Sequence, residues 1–351
     1  MIITLIGARP QFVKAAVVSR ALLKEGIEEI IVHSGQHYDE RMSKVFWDDL
    51  KIPSPSFNMQ IGSGSHALQT AQMMIALEEI IKNLPQKPKA LLLYGDTNTT
   101  VAGSLVASKI ELPVIHIEAG LRSFNRSMPE EVNRVVTDHL SQLLFCPSES
   151  AVQLLRKEGV TENVYNVGDV MYDAFLTFSA LAVKNASIAH LLNGQPHTTL
   201  LTLHRPVNTD NLDSLQKIMA QLAQLPTQLI WPVHPRNRVH LEKLQIPANL
   251  KLVEPLSYLE MLLLLEKCNK VITDSGGLQK EAYWAKKACL TLREETEWIE
   301  TLSGNWNQLS SVRDDSLVKN FRNEPSVQWK PLYGNGNASE QIAELIKEKF
   351  S

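Results

Sequence analysis

The sequence of 351 residues has few cysteines, no excess of basic residues and no long apolar run. Its three cysteines, Cys146, Cys268 and Cys289, are far apart and form no C-x-x-C pair, which argues against a disulfide framework. We therefore expect a reducing, cytoplasmic compartment. The net charge of −3 gives no support for a nucleic-acid partner, because proteins that bind nucleic acid usually carry a basic excess.

The longest apolar run, residues 261–265, is far shorter than the ~20 residues that a helix needs to cross a bilayer. The first residues, MIITLIGARPQF, have no basic segment followed by a long apolar one, so they predict a β-strand rather than a signal peptide. We expect no membrane partner.

Short apolar runs alternate with longer helical patterns along most of the chain. Residues 2–6, 91–94 and 114–117 are predicted strands, and residues 11–24 and 66–82 are predicted helices. This alternation predicts parallel strands with crossover helices on both faces, which is an α/β fold.

The alternation pauses between residues 169 and 197 and then restarts. The segments TLIGARPQFVK and LLTLHRPVNTD both end an apolar strand at a basic loop that carries a proline. We predict two Rossmann-like, doubly wound domains facing a cleft, over residues 1–169 and 170–335. A last helix, residues 338–350, is a candidate to pack back on the first domain.

A charged segment begins within the predicted strand at residues 114–117 and continues beyond it. It reads HIEAGLR and then MPEEVNR, and it includes Glu118, Glu130 and Arg134. Charges at the end of a buried strand are costly unless they are paired or bound to a ligand. The carboxylates suit proton transfer and the arginines suit anion binding, although an ion-paired loop and helix start would give the same pattern.

Polar residues also follow other predicted strands at the point where each strand ends. Arg9, with Lys14 one helical turn further on, follows the first strand, and Asp96 follows the strand at residues 91–94. His204 follows the strand at residues 199–203. Ligands bind at the carboxyl ends of the strands in open α/β sheets, so we expect a shared active site.

The segment DSGGLQKE, residues 274–281, predicts a helix N-terminus. Its glycines allow close backbone approach, and the free N–H groups together with the helix dipole favour an anion. We therefore expect Ser275 and Gly276 to hold a diphosphate and Glu281 to accept hydrogen bonds from a ribose. The alternative is a plain helix cap at Ser275.

Two patterns that would indicate a cofactor are weak. Tyr283 and Lys287 have the Y-x-x-x-K spacing of nicotinamide-dependent epimerases, but no glycine-rich dinucleotide turn follows the first strand. His37 and Asp39 are accompanied by no H-x-x-H or D-x-D cluster. We expect neither a nicotinamide nor a metal cofactor.

Together these segments resemble the non-hydrolysing UDP-N-acetylglucosamine 2-epimerase family. The likeness runs over essentially the whole chain, through GARPQFVK, SGQHYDERM, GDTNTTVAG, HIEAGLRSFNRSMPEEVNRVVTDHLS, FCPSES, NVGDVMYD, TLHRPVNTDN, PVHPRN and TDSGGLQKEA. The resemblance implies a glycosyltransferase-B-like pair of Rossmann-type domains in a homodimer. It also implies interconversion of the gluco and manno forms at C2 of a UDP-bound 2-acetamido sugar, for surface polysaccharide precursors. UDP is eliminated and re-added through a 2-acetamidoglycal, without a nicotinamide or a metal.

Residue by residue, the resemblance implies three catalytic carboxylates, Asp96, Glu118 and Glu130, with His204 beside the leaving diphosphate. The UDP-binding positions that it implies are Arg9, Lys14, Arg134, Ser275, Gly276 and Glu281. Which carboxylate serves which face of the sugar stays open.

Two segments depart from the family's usual pattern. Many members begin GTRPE where this chain has GARPQ, and many carry TERPE where this chain has TEWIE at residues 296–300. Both changes resemble the branch that includes UDP-2,3-diacetamido-2,3-dideoxyglucuronate 2-epimerases. The substrate is therefore either the plain N-acetylglucosamine form or that uronate. Lys44 stands where members activated by a second UDP-sugar carry glutamine, which argues against such activation here.

Three other functions remain as alternatives. A hydrolysing relative would release UDP and free N-acetylmannosamine, and a non-enzymatic nucleotide-sugar-binding module would not need the carboxylates. A retaining glycosyltransferase often carries a second glutamate eight positions after the first. Cys289 stands at that distance from Glu281, which counts against this function.

Overall fold

The computed structural model describes residues 1–35, 52–185, 188–192, 197–233, 235–311 and 313–350. His37, Asp39 and Lys44, on which the sequence raised questions of metal binding and activation, lie outside the described residues. The chain divides into two compact units. The first comprises Met1–Leu176 and Pro331–Ser351, and the second comprises Thr177–Lys330.

The first unit holds a seven-stranded sheet. Its strands are β1 (Ile2–Ile6), β2 (Glu29–His33), β3 (Phe57–Asn58), β4 (Leu91–Tyr94), β5 (Val114–Ile117), β6 (Leu143–Cys146) and β7 (Val164–Asn166). They are ordered β3-β2-β1-β4-β5-β6-β7, and all neighbours run parallel. The chain thus winds outward from β1 in one direction and from β4 in the other, as in Rossmann-like domains.

The second unit holds a six-stranded sheet of the same kind. Its strands are β8 (Thr198–Thr202), β9 (Gln228–Pro232), β10 (Leu250–Val253), β11 (Lys270–Thr273), β12 (Ala288–Thr291) and β13 (Asn307–Leu309). They are ordered β10-β9-β8-β11-β12-β13, again with parallel neighbours. Here the winding direction changes between β8 and β11.

Helices connect the strands. They are α1 (Arg9–Lys24), α2 (His66–Lys82), α3 (Asn98–Lys109), α4 (Pro129–Leu140), α5 (Glu149–Lys157), α6 (Val170–Asn185), α7 (Ala189–Leu192), α8 (Pro206–Thr209), α9 (Leu212–Leu222), α10 (Pro235–Leu241), α11 (Tyr258–Lys267), α12 (Gly276–Trp284), α13 (Ser316–Phe321) and α14 (Ala338–Phe350), with a 3-10 helix over Ile299–Asn305. Several begin at a side chain that accepts a backbone N–H and so satisfies a donor at the helix start. Thr97, Ser148 and Ser275 act in this way for α3, α5 and α12.

Each unit has its own apolar core. In the first unit, Leu5 of β1 and Leu93 of β4 pack with Leu77 of α2 and Val106 of α3. In the second, the following buried side chains of the sheet and of α9 pack together: Leu201, Trp231, Ile272, Leu290, Leu215, Ile218 and Leu222. Strands covered by helices on both faces consist almost wholly of apolar residues, and β1 and β4 are buried along their full length.

The final helix belongs to the first unit, where α14 packs on α1. Lys24 pairs with Glu340 at 2.9 Å and Lys347 pairs with Glu25 at 2.9 Å. Both pairs are largely exposed, so they contribute little to stability. The buried residues Ile342, Ala343 and Ile346 carry the attachment of the helix.

The predicted α/β class with two Rossmann-like doubly wound domains is confirmed. Between residues 169 and 197 the described residues hold no strand, so the alternation does pause there, but Val170–Asn185 forms the helix α6, which the sequence pattern did not indicate. This helix buries Met171, Phe175 and Phe178 and also exposes Leu176, so its apolar residues form no clean stripe in the sequence. None of the described helices has the length and apolar character needed to cross a membrane.

The close packing around Gly120, in the turn after β5, can be tested by substitution. Gly120 has φ +81°, and a Cβ there would lie 2.5 Å from the carbonyl oxygen of Ala151. Gly159 has φ +82°, and a Cβ there would meet nothing within 4 Å. We expect Gly159→Ala to lower the free energy of unfolding by about 1–2 kcal/mol through backbone strain alone. Gly120→Ala should cost about 1–3 kcal/mol more because of the collision. Urea denaturation measures both, and equal losses would contradict this account.

Candidate functional site

In the first unit, the winding direction changes between β1 and β4, which pair through Ile3 with Leu91 and Thr4 with Leu92. Such a switch leaves room at the carboxyl ends of the strands, where α/β sheets bind ligands. Arg9, the first residue of α1, follows β1 and is partly exposed. Asp96 follows β4. The sheet topology therefore brings these two loops to the predicted ligand-binding edge.

Glu118 and Lys14 form an ion pair at this edge. Lys14 is buried on α1, and the Glu118 side chain is 13% exposed. Glu118 has φ +72°, an uncommon value for a residue other than glycine. Its backbone N–H and that of Ala119 donate to the carbonyl oxygen of Phe145 at 3.1 and 3.0 Å, which holds this conformation in place.

Asp96 lies beside a second cation, Arg134, which approaches it to 2.5 Å from α4. The Asp96 side chain is 27% exposed. Burial raises the pKa of Asp96 above its ordinary value, although Arg134 acts in the opposite direction. Glu118 and Glu130 raise it further by repulsion. Asp96 and Glu118 therefore repel one another, and each lies beside its own cation. Two such carboxyl groups can have different pKa values, as a general acid and a general base that work together require.

Asp96 is also held through its backbone. The side-chain amide of Asn133, one residue before Arg134, donates to the Asp96 carbonyl oxygen at 2.9 Å. Glu131 is buried and accepts hydrogen bonds from the N–H groups of Ser123 and Phe124, so it closes the loop before α4. Glu130, by contrast, lies exposed in the first turn of α4.

The charged segment after β5 therefore separates into two groups. Glu118 and Arg134 belong to the sheet edge with Asp96. His116 and Arg122 are buried and join Asp138 in an internal network: His116 Nδ1 lies 2.7 Å from Asp138 Oδ1, and Arg122 donates to Asp138 Oδ2 at 2.6 Å. The sequence pattern did not distinguish the two groups.

Gln11, which in the sequence stood out only as a departure from the family pattern, is a positioning residue. Its side-chain oxygen accepts the N–H groups of Gly7 and Ala8 at 2.7 and 3.0 Å. Its nitrogen donates to the carbonyl oxygen of Tyr94 at 2.8 Å. One buried amide thus ties the loop after β1 to the loop after β4, which carries Asp96. A polar residue at the start of the predicted first helix was the only signal for it.

In the second unit, the switch lies between β8 and β11, which pair through Thr202 and Thr273. His204 follows β8, and its side chain is 54% exposed. Its Nδ1 lies 3.0 Å from Oδ1 of Asp274, which follows β11 and is fully buried. Asp274 also accepts the backbone N–H groups of His204 and Arg205 and the amide of Asn208.

Asp274 is therefore the residue that orients His204. Burial alone would raise the pKa of Asp274, but its hydrogen bonds and the charge of His204 hold that pKa below its ordinary value. Asp274 opens the segment DSGGLQKE, but nothing in the sequence pattern indicated its role. Its adjacency to His204 depends on β8 and β11 being neighbours, although they are far apart in sequence.

The N-terminus of α12 lies next to this pair. Ser275 is the N-cap, and its hydroxyl accepts the N–H of Leu278 at 3.4 Å. A Cβ on Gly276 would lie 2.7 Å from Oε1 of Glu297, so glycine allows the TEWIE segment to approach the start of the helix. Glu297 pairs with Arg293 at 3.0 Å. The free N–H groups of such a helix start favour an anion.

Glu281 lies further along α12 and accepts a hydrogen bond from the Tyr258 hydroxyl at 3.2 Å. Burial raises the pKa of Glu281 to about 7, with the Tyr258 hydrogen bond acting in the opposite direction. A carboxyl group with this pKa changes charge near neutral pH, so its ionisation responds to a ligand that donates hydrogen bonds to it.

Comparisons with known proteins agree over the whole chain. The family described as UDP-N-acetylglucosamine 2-epimerase matches residues 20–347. A UDP-N-acetylglucosamine 2-epimerase homolog of Methanococcus maripaludis is 46% identical over 99% of this chain and 99% of its own. The UDP-2,3-diacetamido-2,3-dideoxy-D-glucuronate 2-epimerase of Pseudomonas aeruginosa is 42% identical over 98% of this chain and 99% of its own.

A solved structure gives the same result. The crystal structure of Methanocaldococcus jannaschii UDP-GlcNAc 2-epimerase in complex with UDP-GlcNAc and UDP is 39% identical to this chain. It covers 99% of this chain and 100% of its own, with a TM-score of 0.89.

The link made by Gln11 can be tested by stability. We expect Gln11→Ala to lower the free energy of unfolding by about 1–3 kcal/mol, because buried partners of the amide lose their hydrogen bonds. Gln153→Ala is the matched control, since Gln153 is exposed and bonds only to Glu149 among the described contacts. It should change stability by about 0.5 kcal/mol or less. Urea denaturation measures both, and a Gln11→Ala loss no larger than the control's would refute the assigned role.

Proposed function

The chain belongs to the UDP-N-acetylglucosamine 2-epimerase family and is an epimerase of a UDP-linked 2-acetamido sugar, and we propose that it works by eliminating UDP and adding it back. The hydrogen on C2 of such a sugar is barely acidic, so its direct removal is difficult. Elimination breaks the bond from C1 to the diphosphate oxygen as the C2 proton leaves, and it gives a 2-acetamidoglycal. Re-addition of UDP, with a proton delivered to the other face of C2, gives the epimer.

We assign the proton transfers to carboxyl groups of the first unit. The observation that carries this assignment is the pair of Asp96 and Glu118, which interact electrostatically while each lies beside its own cation. The raised pKa of Asp96 suits a group that holds a proton for part of the cycle. Glu130, exposed at the start of α4, is the third candidate. We assign none of the three carboxyl groups to a particular face of the sugar.

Arg9, Lys14 and Arg134 are the UDP-binding candidates of the same unit. Lys14 and Arg134 are buried and already neutralise Glu118 and Asp96, so part of their charge serves to fix the carboxylates. Arg9 is partly exposed at the first turn of α1, where both the side chain and the helix start attract an anion.

We assign binding of the leaving group to the second unit. Ser275 and Gly276 present the N–H groups of the α12 start to the diphosphate, and Glu281 accepts the ribose hydroxyls. Asp274 fixes Nδ1 of His204, so Nε2 is the nitrogen that addresses the diphosphate as charge develops on it. A protonated His204 would stabilise that charge.

We further propose a homodimer located in the cytoplasm. On α2, Leu68 and Ile75 are 54% and 69% exposed, and they lie seven positions apart, which places them on one face of the helix. An apolar helix face of this kind suits contact with a second copy of the chain. Cys146, Cys268 and Cys289 are free thiols, as expected in a reducing compartment. Sedimentation that detects only monomers at micromolar concentration would refute the dimer.

Proton NMR in deuterated water tests the proposed reaction. Purified protein is incubated in parallel with UDP-N-acetylglucosamine and with the 2,3-diacetamido uronate form. We expect a manno anomeric signal with deuterium entering at C2, and the tube that reacts identifies the sugar. Free UDP and free sugar forming at the rate of turnover would instead indicate the hydrolysing reaction. Epimerisation that retains the C2 hydrogen would refute the elimination route.

Substitution of Asp96 and Glu118 tests whether they act in turnover rather than in UDP binding. We expect Asp96→Asn and Glu118→Gln to lower kcat by about 10²–10⁴-fold, the usual effect of losing an acid or base. UDP affinity should stay within about threefold, because these carboxyl groups act on the sugar and the diphosphate is assigned to other residues. Glu162→Gln, an exposed glutamate between α5 and β7, is the matched control and should leave both quantities unchanged. UDP affinity is measured by calorimetric titration. A tenfold loss of affinity with intact turnover would assign Asp96 and Glu118 to UDP binding instead of proton transfer.

The raised pKa of Glu281 predicts a pH dependence of UDP binding. If the ionised carboxylate accepts the ribose hydroxyls, UDP binds best above the pKa of about 7 and loses affinity as pH falls below it. For one such group we expect the association constant to fall about tenfold between pH 8 and pH 6. The Glu281→Gln variant keeps the titration of UDP itself and should lack this component. Identical pH profiles of the two proteins, measured by calorimetry, would exclude Glu281 from the ribose site.

A further inference from the structure

We propose that His116 is a cationic positioning residue that, through Asp138, fixes the loop of Asp96 relative to the turn of Glu118. The proposal concerns how the carboxylates are held, and its effect on turnover rests on the function proposed above. His116 lies in β5 and is fully buried, so it does not touch the substrate itself.

The hydrogen-bond partners of His116 determine its protonation. Nδ1 lies 2.7 Å from Oδ1 of Asp138, and Nε2 lies 2.8 Å from the carbonyl oxygen of Gly95. A carbonyl oxygen only accepts hydrogen bonds, and so does an ionised carboxylate. Both ring nitrogens must therefore donate, and a histidine that donates from both nitrogens is an imidazolium.

The charges around His116 fit the protonated state. Asp138 is fully buried and faces His116 and Arg122, and Arg122 in turn donates to both oxygens of Glu158 at 2.8 and 2.7 Å. Burial acts to raise the pKa of Asp138, but His116 and Arg122 outweigh it and hold that pKa below its ordinary value. The nearby thiol of Cys146 stays neutral because burial raises its pKa. Arg122 shares its charge between Asp138 and the exposed Glu158, so an imidazolium at His116 supplies a second cation beside the buried carboxylate.

The same network holds both catalytic loops. His116 fixes the carbonyl of Gly95, the residue before Asp96, where the backbone has φ +62°. The other oxygen of Asp138 accepts the N–H of Gly120 at 3.1 Å, two residues after Glu118. A Cβ on Gly95 would lie 3.1 Å from Oε2 of Glu118, so the two loops are in close contact. A single buried carboxylate, extended by one imidazolium, therefore fixes the spacing of Asp96 and Glu118.

Neutron diffraction of the deuterated full-length protein tests the protonation directly. We expect deuterons on both Nδ1 and Nε2 of His116 in crystals grown near neutral pH, with none on Asp138. A deuteron on only one ring nitrogen would overturn the proposal. This readout needs no turnover, so it remains decisive even if the proposed elimination mechanism fails.

Paired substitutions test the positioning role. In His116→Gln the amide nitrogen can still donate to Gly95, but the amide oxygen meets the Asp138 carboxylate, which cannot donate to it. Asp138→Asn leaves the imidazole facing an amide in place of a carboxylate. In the variant that carries both substitutions, the amide introduced at position 138 can donate to the amide oxygen introduced at position 116. This neutral pair needs no buried positive charge in β5.

We expect each single substitution to lower kcat by about 100-fold, the effect of a small misplacement of reacting groups, with UDP affinity within about threefold. The double variant should recover at least about tenfold of that loss, as directly contacting residues do. His139→Gln, an exposed histidine in the last turn of α4, is the matched control and should behave as the unsubstituted protein. A double variant no more active than the worse single variant, with all variants folded by circular dichroism, would refute the positioning role.

Discussion

The charge of Asp138 is the constraint on which the first unit's edge depends. A carboxylate in the dry interior is tolerated only when its oxygens are fully engaged by donors and its charge is matched. Asp138 meets both conditions through His116, Arg122 and the N–H of Gly120. Those donors lie in β5 and in the turn that carries Glu118, and His116 also contacts the carbonyl of Gly95 beside Asp96. Satisfying one buried charge therefore also constrains where the partly buried carboxylates Asp96 and Glu118 lie.

The second unit also has a buried aspartate that joins its loops. Asp274 is buried at the end of β11 and collects two backbone N–H groups and an amide from the loop after β8. Its remaining interaction fixes the ring of His204, which is half exposed. In both units a buried aspartate joins the loops that follow neighbouring strands, and a more exposed group is left for chemistry. Parallel strands make this possible because their carboxyl ends lie at one edge.

The sequence predicted the strands and the edge well, because both depend on local patterns. Runs of Ile, Leu and Val indicated buried strands, and a polar residue one or two positions after each run gave the candidates Asp96, Glu118 and His204, whose roles stay predictions. The partners of these residues were not predictable in the same way. Gln11 contacts Tyr94, and Arg122 contacts Glu158, across separations of 83 and 36 positions that only the sheet order brings together. The helix α6 was missed because its exposed face also carries apolar residues, Leu176 and Val183, which weakens the periodic signal.

The TEWIE segment shows how a departure from the family pattern can reach the ligand indirectly. Trp298 is only 5% exposed, and Lys280 of α12 lies 3.7 Å from the centre of its ring, so the indole is part of the interior rather than of an open pocket wall. Glu297 in turn rests against Gly276, the first residue of α12. The segment therefore packs on both the start and the body of the helix that we assign to the diphosphate. Any effect of Trp298 on sugar preference would act by shifting this helix start, because its side chain has almost no surface with which to touch the sugar, whereas Ile299 is 62% exposed.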